Sequence, residues 1–174
     1  MKTLEMNKLF LLIASLLFVL LTNAQSMKEM FVPRWQRTEA YVSELSSLIG
    51  DEHLDFKATE EVMPAKEHLV HLFNHMNWVH GMLSGETTAK DYKSIKDLAE
   101  LKQNQKEVFR RILLWTKSAT EAELKETVFF RPAQRDFTKN ELLLLLLDHT
   151  RDHTGQLVVY LRLNGLEPPK YKGW

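Results

Sequence analysis

Residues 138–165 read TKNELLLLLLDHTRDHTGQLVVYLRLNG, a segment that carries helix signals at both of its ends. Thr138 and Glu141 have the spacing of a capping box, in which each side chain accepts a hydrogen bond from the other residue's backbone N–H. Gly165 follows the last apolar residues, where glycine commonly ends a helix, and Pro168-Pro169 cannot continue one. The segment therefore predicts one long helix between Thr138 and Gly165.

Two features of this helix predict its surroundings. Six consecutive leucines, residues 142–147, place apolar groups on every side of its start. A helix that is apolar all round is buried all round, so we expect neighbouring helices, and a second subunit as well, to cover it. Gly155 lies in mid-helix, where glycine costs about 1 kcal/mol relative to alanine. We interpret Gly155 as a point where another helix approaches closely.

Apolar periodicity predicts three further helices upstream. Their expected bounds are about Pro33 to Leu48, about Pro64 to Leu83, and from an N-cap at Ser94, with Asp97 three residues on, to about Lys117. A short helical turn is expected at Thr120 to Glu123. The run Thr127 to Phe130 is strand-like, but one strand cannot build a sheet. Four long helices with connections of moderate length predict an all-α fold, a four-helix bundle.

The first residues have the order of a secretory signal peptide. Lys2 and Lys8 precede an uncharged apolar stretch, residues 9–21, which is followed by Thr22-Asn23-Ala24. The stretch is shorter than the roughly 20 residues of a membrane-spanning helix. We expect cleavage after Ala24, giving a signal peptide at 1–24 and one domain at 25–174, rather than an uncleaved anchor or a core helix. The protein is then exported, periplasmic or secreted, with no stable membrane span.

Charge and cysteine content restrict the possible functions. The chain has 23 basic and 23 acidic side chains, and loss of two lysines and one glutamate with residues 1–24 would leave 21 and 22. This balance argues against a nucleic-acid partner, which requires clustered positive charge. The chain contains no cysteine. The domain therefore relies on packing rather than disulfides, and a metal site must use nitrogen and oxygen ligands.

The histidines are the residues that point to a metal. His149 and His153 are four apart, so both imidazoles lie on one face of the long helix, in a mostly apolar stripe. Burying an imidazole there is costly unless it is hydrogen-bonded or coordinated. Taken alone the pair is a weak signal, but His68, His71 and His75 share one strip of the second predicted helix. The two helices together can supply a site with three nitrogen ligands.

Such a site leaves coordination positions open for water or substrate, the arrangement of catalytic rather than structural zinc. Imidazole suits both zinc and nickel. Asp148 and Asp152, beside the ligands, are candidates for orienting the imidazoles or acting as general bases, the alternative being ordinary solvated charges. We interpret Glu67, His53 and His80 as solvated. The sequence contains no H-E-x-x-H, so a zincin-type protease site is excluded.

Two stretches carry a resemblance to a known family. Residues 63–73, MPAKEHLVHLF, resemble the segment with the first metal histidine of the DinB/YfiT-like family of predicted metal-dependent hydrolases. Residues 148–156, DHTRDHTGQ, resemble the family's second signature, and the tail from Tyr160 to Tyr171 is similar to its usual ending. With Trp35 and Tyr41 near the start, the resemblance spans nearly all of the predicted domain.

By position, the resemblance implies that His71, His149 and His153 are the metal ligands, with His75 as the alternative ligand on the second helix. It also implies a four-helix bundle and a homodimer. The family commonly has His-His-Arg-Gly-Gln where this chain has Asp-His-Thr-Gly-Gln at residues 152–156. The ligand positions are kept, and the neighbouring histidine and arginine are not, which leaves the specific activity open.

Three functions compete. The first is an enzyme that uses zinc or nickel for hydrolysis or group transfer on an unknown small-molecule substrate. Resembling proteins include thiol-dependent transferases of the cytosol, and export would separate this protein from that thiol pool, which favours hydrolysis. The second is a non-catalytic metal- or ligand-binding bundle, which closure of the fourth position by a side chain such as His75 would favour. The third is a bundle whose histidines are packed and hydrogen-bonded without metal.

Overall fold

The computed structural model describes residues 25–86 and 97–172. The predicted signal peptide and the predicted N-cap Ser94 lie outside these ranges. Within them the chain forms four long helices, one short helix and one β-hairpin, together with 3₁₀ turns at Asp51–His53 and Arg131–Ala133. In chain order the elements are α1 (Met27–Leu48), α2 (Ala65–Ser84), α3 (Leu98–Ser118), α4 (Glu121–Lys125), β1 (Thr127–Phe130), β2 (Arg135–Thr138) and α5 (Lys139–Leu163). The predicted four-helix bundle is confirmed.

Side-chain caps set where the helices begin. The capping boxes of α4 and α5, at Thr120 and Thr138, are confirmed. Helix α1 begins six residues before the predicted Pro33 because Ser26 and Glu29 form a third capping box, with bonds of 3.2 and 3.0 Å. At α3 the N-cap is Asp97, whose Oδ1 accepts the Glu100 N–H at 2.8 Å.

The packing order of the long helices differs from their order in the chain. The main contacts of α1 are with α3 and α5, and the main contacts of α2 are also with α3 and α5. Consecutive helices α1 and α2 are therefore diagonal in the bundle, and α2 lies against the last helix. This arrangement turns the histidine strip of α2 toward the histidine stripe of α5. In the described ranges, no helix combines the length and apolarity needed to cross a membrane.

The hairpin corrects the expectation of a purely α-helical chain in which Thr127–Phe130 finds no partner. Strand β1 pairs antiparallel with β2, from Thr127 opposite Thr138 to Phe130 opposite Arg135. The Phe130 ring packs on Phe137 of β2, with centroids 4.4 Å apart, and on Trp78 of α2 at 5.5 Å. The sequence of β2 is too charged to predict a strand, and these tertiary contacts hold it in place.

Within a single chain the expected cover of α5 is incomplete, and the expected close approach at Gly155 is wrong. Leu142, Leu143, Leu146 and Leu147 are buried, but Leu144 is 38% exposed, because α5 packs against α1, α2 and the α4–β2 region and leaves one side open. Gly155 is exposed, and a Cβ added there would have no atom within 4 Å. No helix approaches at Gly155, so close packing does not explain this glycine.

Candidate metal centre

The loop before α2 and the end of α5 are tied together, and this fixes the two histidine-bearing helices against each other. The Tyr160 hydroxyl donates a 2.7 Å hydrogen bond to the Met63 carbonyl. Backbone bonds from Ala65 to Phe56 (3.1 Å) and from Lys66 to Leu54 (2.9 Å) hold the loop to the first turn of α2. Neighbouring side chains on the two helices consequently meet at defined positions.

His71 on α2 meets His149 and His153 on α5. One nitrogen from each of the three side chains lies within 4.8 Å of the others. The ring centroids of His71 are 5.2 Å from His149 and 4.8 Å from His153, and those of the α5 pair are 4.5 Å apart. His153 is buried, His149 is half-buried and His71 is exposed. This group, called the histidine cluster below, runs from the core to the surface.

The chemistry of the cluster fits a divalent metal ion. The Nε2 atom of His149 is buried and has no hydrogen-bond partner among the described residues, a costly state that coordination would relieve. Burial, together with the charges of His149, His71 and His68, lowers the pKa of His153 to about 4. Burial and His71 also lower the pKa of His149. Both imidazoles are therefore neutral near pH 7, the form that binds metal.

His68 contacts the cluster from the core side. It is 1% exposed, and its Nδ1 lies 3.0 Å from the Nδ1 of His153. Because Nδ1 of His153 contacts His68, the Nε2 atom of His153 is the nitrogen that remains available to bind a metal. With a metal on Nε2, His153 would carry its proton on Nδ1, and that N–H would donate the hydrogen bond to Nδ1 of His68. The contact of His68 with His153 is not predicted from the sequence, although the i, i+3 spacing of His68 and His71 is a signal that the two share a face.

His75, the alternative ligand, lies beside the cluster rather than in it. Its ring centroid is 3.8 Å from that of His149, closer than any pair within the cluster. The nitrogens that fall mutually within 4.8 Å in the described ranges belong to the histidine cluster, and His75 is not among them. Burial and the neighbouring His149 lower the pKa of His75 to about 3, so it packs as a neutral ring.

The predicted carboxylates lie at the edge of the site. Asp148 and Asp152 are exposed, and within the described chain neither forms a hydrogen bond to a histidine of the cluster. Asp152 acts through its charge, which opposes the lowering of the pKa of both His149 and His153. Glu67 is exposed, as expected.

The two histidines predicted to be solvated differ from each other. His53 is half-buried beside Glu52, with 3.4 Å between its Nδ1 and the carboxylate. His80 is 5% exposed, so its interpretation as solvated is wrong. Burial and the charge of Arg111 lower the pKa of His80. Arg111 comes from α3, and the contact between the two helices was not visible in the sequence.

A cavity of about 620 Å³ opens beside His71. Its wall combines charged, amide and apolar side chains from the loop before α2 and the first turns of that helix. The lining residues are Asp55, Met63, Pro64, Lys66, Glu67, Val70, His71 and Asn74. The volume lies within the usual range for small-molecule sites. The exposed edge of the histidine cluster is therefore reachable by a ligand from solvent.

Comparisons with known proteins agree with this architecture. The family model that matches the chain is that of the DinB family, over residues 22–173. Among solved structures, a DinB-like protein, YjoA, from Bacillus subtilis has a TM-score of 0.68 at 23% identity, covering 82% of this chain and 97% of its own. A DinB-like protein from Bacillus cereus has a TM-score of 0.68 at 19% identity, with 81% and 95% covered.

YfiT from Bacillus subtilis is also similar, with a TM-score of 0.66 at 18% identity, covering 83% of this chain and 93% of its own. That protein is described as a probable metal-dependent hydrolase with an unusual four-helix bundle topology. At these identities the three likenesses concern the fold. No curated protein sequence matches the chain.

Proposed function

The chain belongs to the DinB family, and on that premise we propose that it binds a divalent metal ion, zinc or nickel, and hydrolyses a small-molecule substrate. The observation that carries the proposal is the histidine cluster, in which three ligand nitrogens from two packed helices lie within 4.8 Å. A metal held by His71, His149 and His153 would supply Lewis acidity toward a water or a substrate oxygen.

The surrounding residues support a catalytic role over a purely structural one. His71 lies on the wall of the 620 Å³ cavity, so a substrate can reach the cluster from that side. His153 is fixed by His68 at 3.0 Å and keeps its orientation without help from substrate. Glu67 and Asp55, both on the cavity wall, are carboxylates that could accept a proton from a reactant bound there.

The test is the metal content of the protein purified without a nickel affinity column, measured by mass spectrometry. We expect about one metal ion per chain in the wild type, and loss of that ion in His149→Ala and His153→Ala while the helical circular dichroism remains. His53→Gln, which changes a histidine outside the cluster, is the matched control and should keep the metal. Absence of metal in the wild type, even after reconstitution, would refute the proposal.

A second candidate is a non-catalytic site in which the metal holds α2 against α5. The observation that favours it is the position of His75, whose ring lies 3.8 Å from His149 and could supply a fourth nitrogen. The variant His75→Phe separates the two functions. Retention of metal in that variant, with hydrolysis of a substrate found by screening phosphate, carboxylate and amide esters, supports the enzyme. Loss of metal supports the structural site.

Export and homodimerisation are part of the proposal. The order of charged, apolar and small residues over 1–24 supports export. Large exposed apolar side chains, Trp78 at 41% and Phe129 at 55%, support a subunit interface. Expression of the full chain with a secretion-competent host should give extracytoplasmic protein beginning at Gln25. An intact N-terminus would contradict export. Light scattering after size exclusion should give twice the mass of the mature chain, and the mass of a monomer would contradict homodimerisation.

A further inference from the structure

A second cavity, of about 610 Å³, lies on the opposite side of α5 from the histidine cluster. Arg37 on α1, Gly155 on α5 and Lys170 in the segment after α5 line three of its sides. Gly155 is two positions from His153, which places it roughly 200° around the helix. The cavity is therefore separate from the candidate metal centre and shares no lining residue with it.

Positive charge dominates this cavity. Its lining includes five cationic side chains and no carboxylate, in a chain whose basic and acidic residues are equal in number. The five are Arg37, Arg151, Arg162, Lys170 and Lys172. Lys172 pairs with Glu44. The other four form no salt bridge within the described ranges. Three guanidinium groups and the Lys170 ammonium group therefore line the cavity without a carboxylate partner among the described residues.

The rest of the wall is mainly aromatic and apolar, with Thr38 and Thr154 beside these groups. Tyr41 and Tyr171 meet edge to face, with ring centroids 6.1 Å apart, and Val158 and the Pro168-Pro169 pair adjoin them. Gly155 contributes bare backbone, with no atom within 4 Å of where its Cβ would be. A larger residue at this position would project into the cavity. Open space, rather than an approaching helix, therefore adjoins this position.

We propose that this cavity, the cationic cavity, binds an organic phosphate ester whose apolar group lies against the tyrosines and prolines. Guanidinium groups pair with phosphate oxygens through two parallel hydrogen bonds, and three arginines line this cavity. The volume suits a ligand of small-molecule size. Both a soluble phosphate ester and the headgroup of a phospholipid present this chemistry, so the experiment separates the two.

The primary experiment is calorimetric titration of phenyl phosphate into metal-free protein at constant ionic strength, because a bound metal would itself attract phosphate. We expect saturable binding of one equivalent. Arg37→Gln and Arg162→Gln should each weaken it at least tenfold. Arg110→Gln removes an exposed arginine of α3 that pairs with Glu107, and it should leave binding unchanged. Absence of saturable binding, or equal affinity in all three variants, would overturn the proposal.

Substitutions at Gly155 give a readout that does not depend on charge. Gly155→Ala should retain binding, since a methyl group is small relative to the cavity, whereas Gly155→Leu should abolish it with the helical signal intact. Binding of wild-type strength in Gly155→Leu would place the ligand elsewhere and refute the assignment.

Competition then identifies the source of the phosphate. Displacement of phenyl phosphate by glycerol phosphate but not by phosphatidylglycerol vesicles would support a soluble ligand. Displacement by the vesicles would support a lipid headgroup. Displacement by neither would contradict a phosphate site.

Discussion

At the scale of single side chains, the candidate centre depends on which nitrogen of each imidazole carries the proton. His153 faces both the cluster and the core, and His68 occupies its core-side nitrogen at 3.0 Å. Tyr160 packs edge to face on His68, with centroids 5.3 Å apart, and is itself fixed by its bond to Met63. Partners of this kind raise ligand basicity and hold ring orientation. We therefore expect His68 to position His153 for a metal.

The first prediction concerns His68. His68→Ala removes the acceptor for the His153 N–H, and we expect the affinity for zinc to fall about 10- to 100-fold. Competition with a chromophoric chelator measures this change. His68→Gln, whose amide oxygen can accept the same hydrogen bond, should recover part of the affinity. Unchanged affinity in His68→Ala, or an equal loss in the control His53→Gln, would show that His68 does not orient His153.

The second prediction concerns the pH dependence of the metal-free protein. His153 and His75 have pKa values of about 4 and about 3 in the folded state, against about 6.5 in the unfolded chain. Below pH 6.5 the unfolded chain therefore binds more protons, so both histidines stabilise the fold above that pH and their contribution is lost as pH falls toward 4. As the pH falls from 6.5 toward 4, the free energy of unfolding should therefore fall by about 1.4 kcal/mol per pH unit for each histidine.

Urea unfolding at several pH values between 4.5 and 7.5 measures this slope. His75→Phe should reduce it by the share of one histidine, because phenylalanine fills the site beside His149 without titrating. The control His53→Gln should have the slope of the wild type. A stability that is flat over this range, or that rises on acidification, would mean that the histidines are not held neutral.

At the scale of elements, the junction between the hairpin and α5 determines how the helix with His149 and His153 begins. Thr138 is the last residue of β2 and also the N-cap of α5. Its hydroxyl accepts from the Glu141 N–H at 3.2 Å, and the Glu141 carboxylate accepts from the Thr138 N–H at 2.7 Å. One residue thus terminates the strand pairing and starts the helix, so the two elements cannot rotate independently.

The third prediction is that Thr138→Ala lowers the free energy of unfolding by about 1 kcal/mol, because the Glu141 N–H loses its acceptor, the Thr138 hydroxyl. Thr138→Ser keeps the hydroxyl and should restore most of the stability. Urea unfolding in metal-free buffer gives the comparison. Equal stability of Thr138→Ala and Thr138→Ser would show that the cap does not contribute.

The fourth prediction is that Gly155→Ala stabilises the protein by about 1 kcal/mol, because alanine favours the helix and its methyl group meets no atom. This corresponds to a rise in Tm of about 2–4 °C. Gly165 makes the contrasting control, since its φ of +73° is unfavourable for alanine. Gly165→Ala should lower the Tm, and a lowered Tm in Gly155→Ala would mean that a neighbour does approach that position.

Local signals made much of the element structure predictable. Each capping box, at Thr120 and at Thr138, lies within four consecutive residues, so the sequence alone predicts both. The predictions that failed concern contacts between residues that are distant in sequence. Strand β2 is held by Phe130 and Trp78, and His80 is buried beside Arg111 from another helix. Helical spacing predicts which residues share a face with Gly155, but it does not predict that this face adjoins a cavity.

The same distinction applies to the candidate site. The spacing of His149 and His153 predicted that they share one face, and the structure brings them together with His71. Spacing could not separate His68, His71 and His75, which occupy one strip of α2. Their different contacts with α5 determine which of them joins the cluster. His68 is buried against His153, His71 is exposed and lies within the cluster, and His75 packs on the ring of His149.

At the scale of the whole molecule, the diagonal placement of α1 and α2 makes the candidate centre a contact between the second and the last long helix. A metal bound there would be lost on unfolding, since the two helices would separate. Metal binding and global stability are therefore linked by mass action.

The fifth prediction follows from this linkage. Free zinc at about 100 times its Kd should stabilise the protein by about 2.7 kcal/mol, which corresponds to a rise in Tm of about 5–10 °C. Scanning calorimetry with zinc and with a chelator measures the difference. His149→Ala, which should not bind metal, gives the baseline and should show the same Tm in both buffers. A wild-type Tm that does not respond to zinc would contradict the linkage.

The distance along the chain between the proposed ligands has a consequence for how the protein is held together. His71 and His149 are 78 positions apart (149 minus 71), and the chain has no cysteine with which to bridge such a span. A permanent crosslink over a loop of that length would restrict the unfolded ensemble by about 4–5 kcal/mol. A metal between α2 and α5 would act as a reversible version of that crosslink, formed when the ion is available and released when it is withdrawn. The concentration of free metal ion in the surrounding medium, rather than a redox enzyme, would then determine whether the two helices are crosslinked.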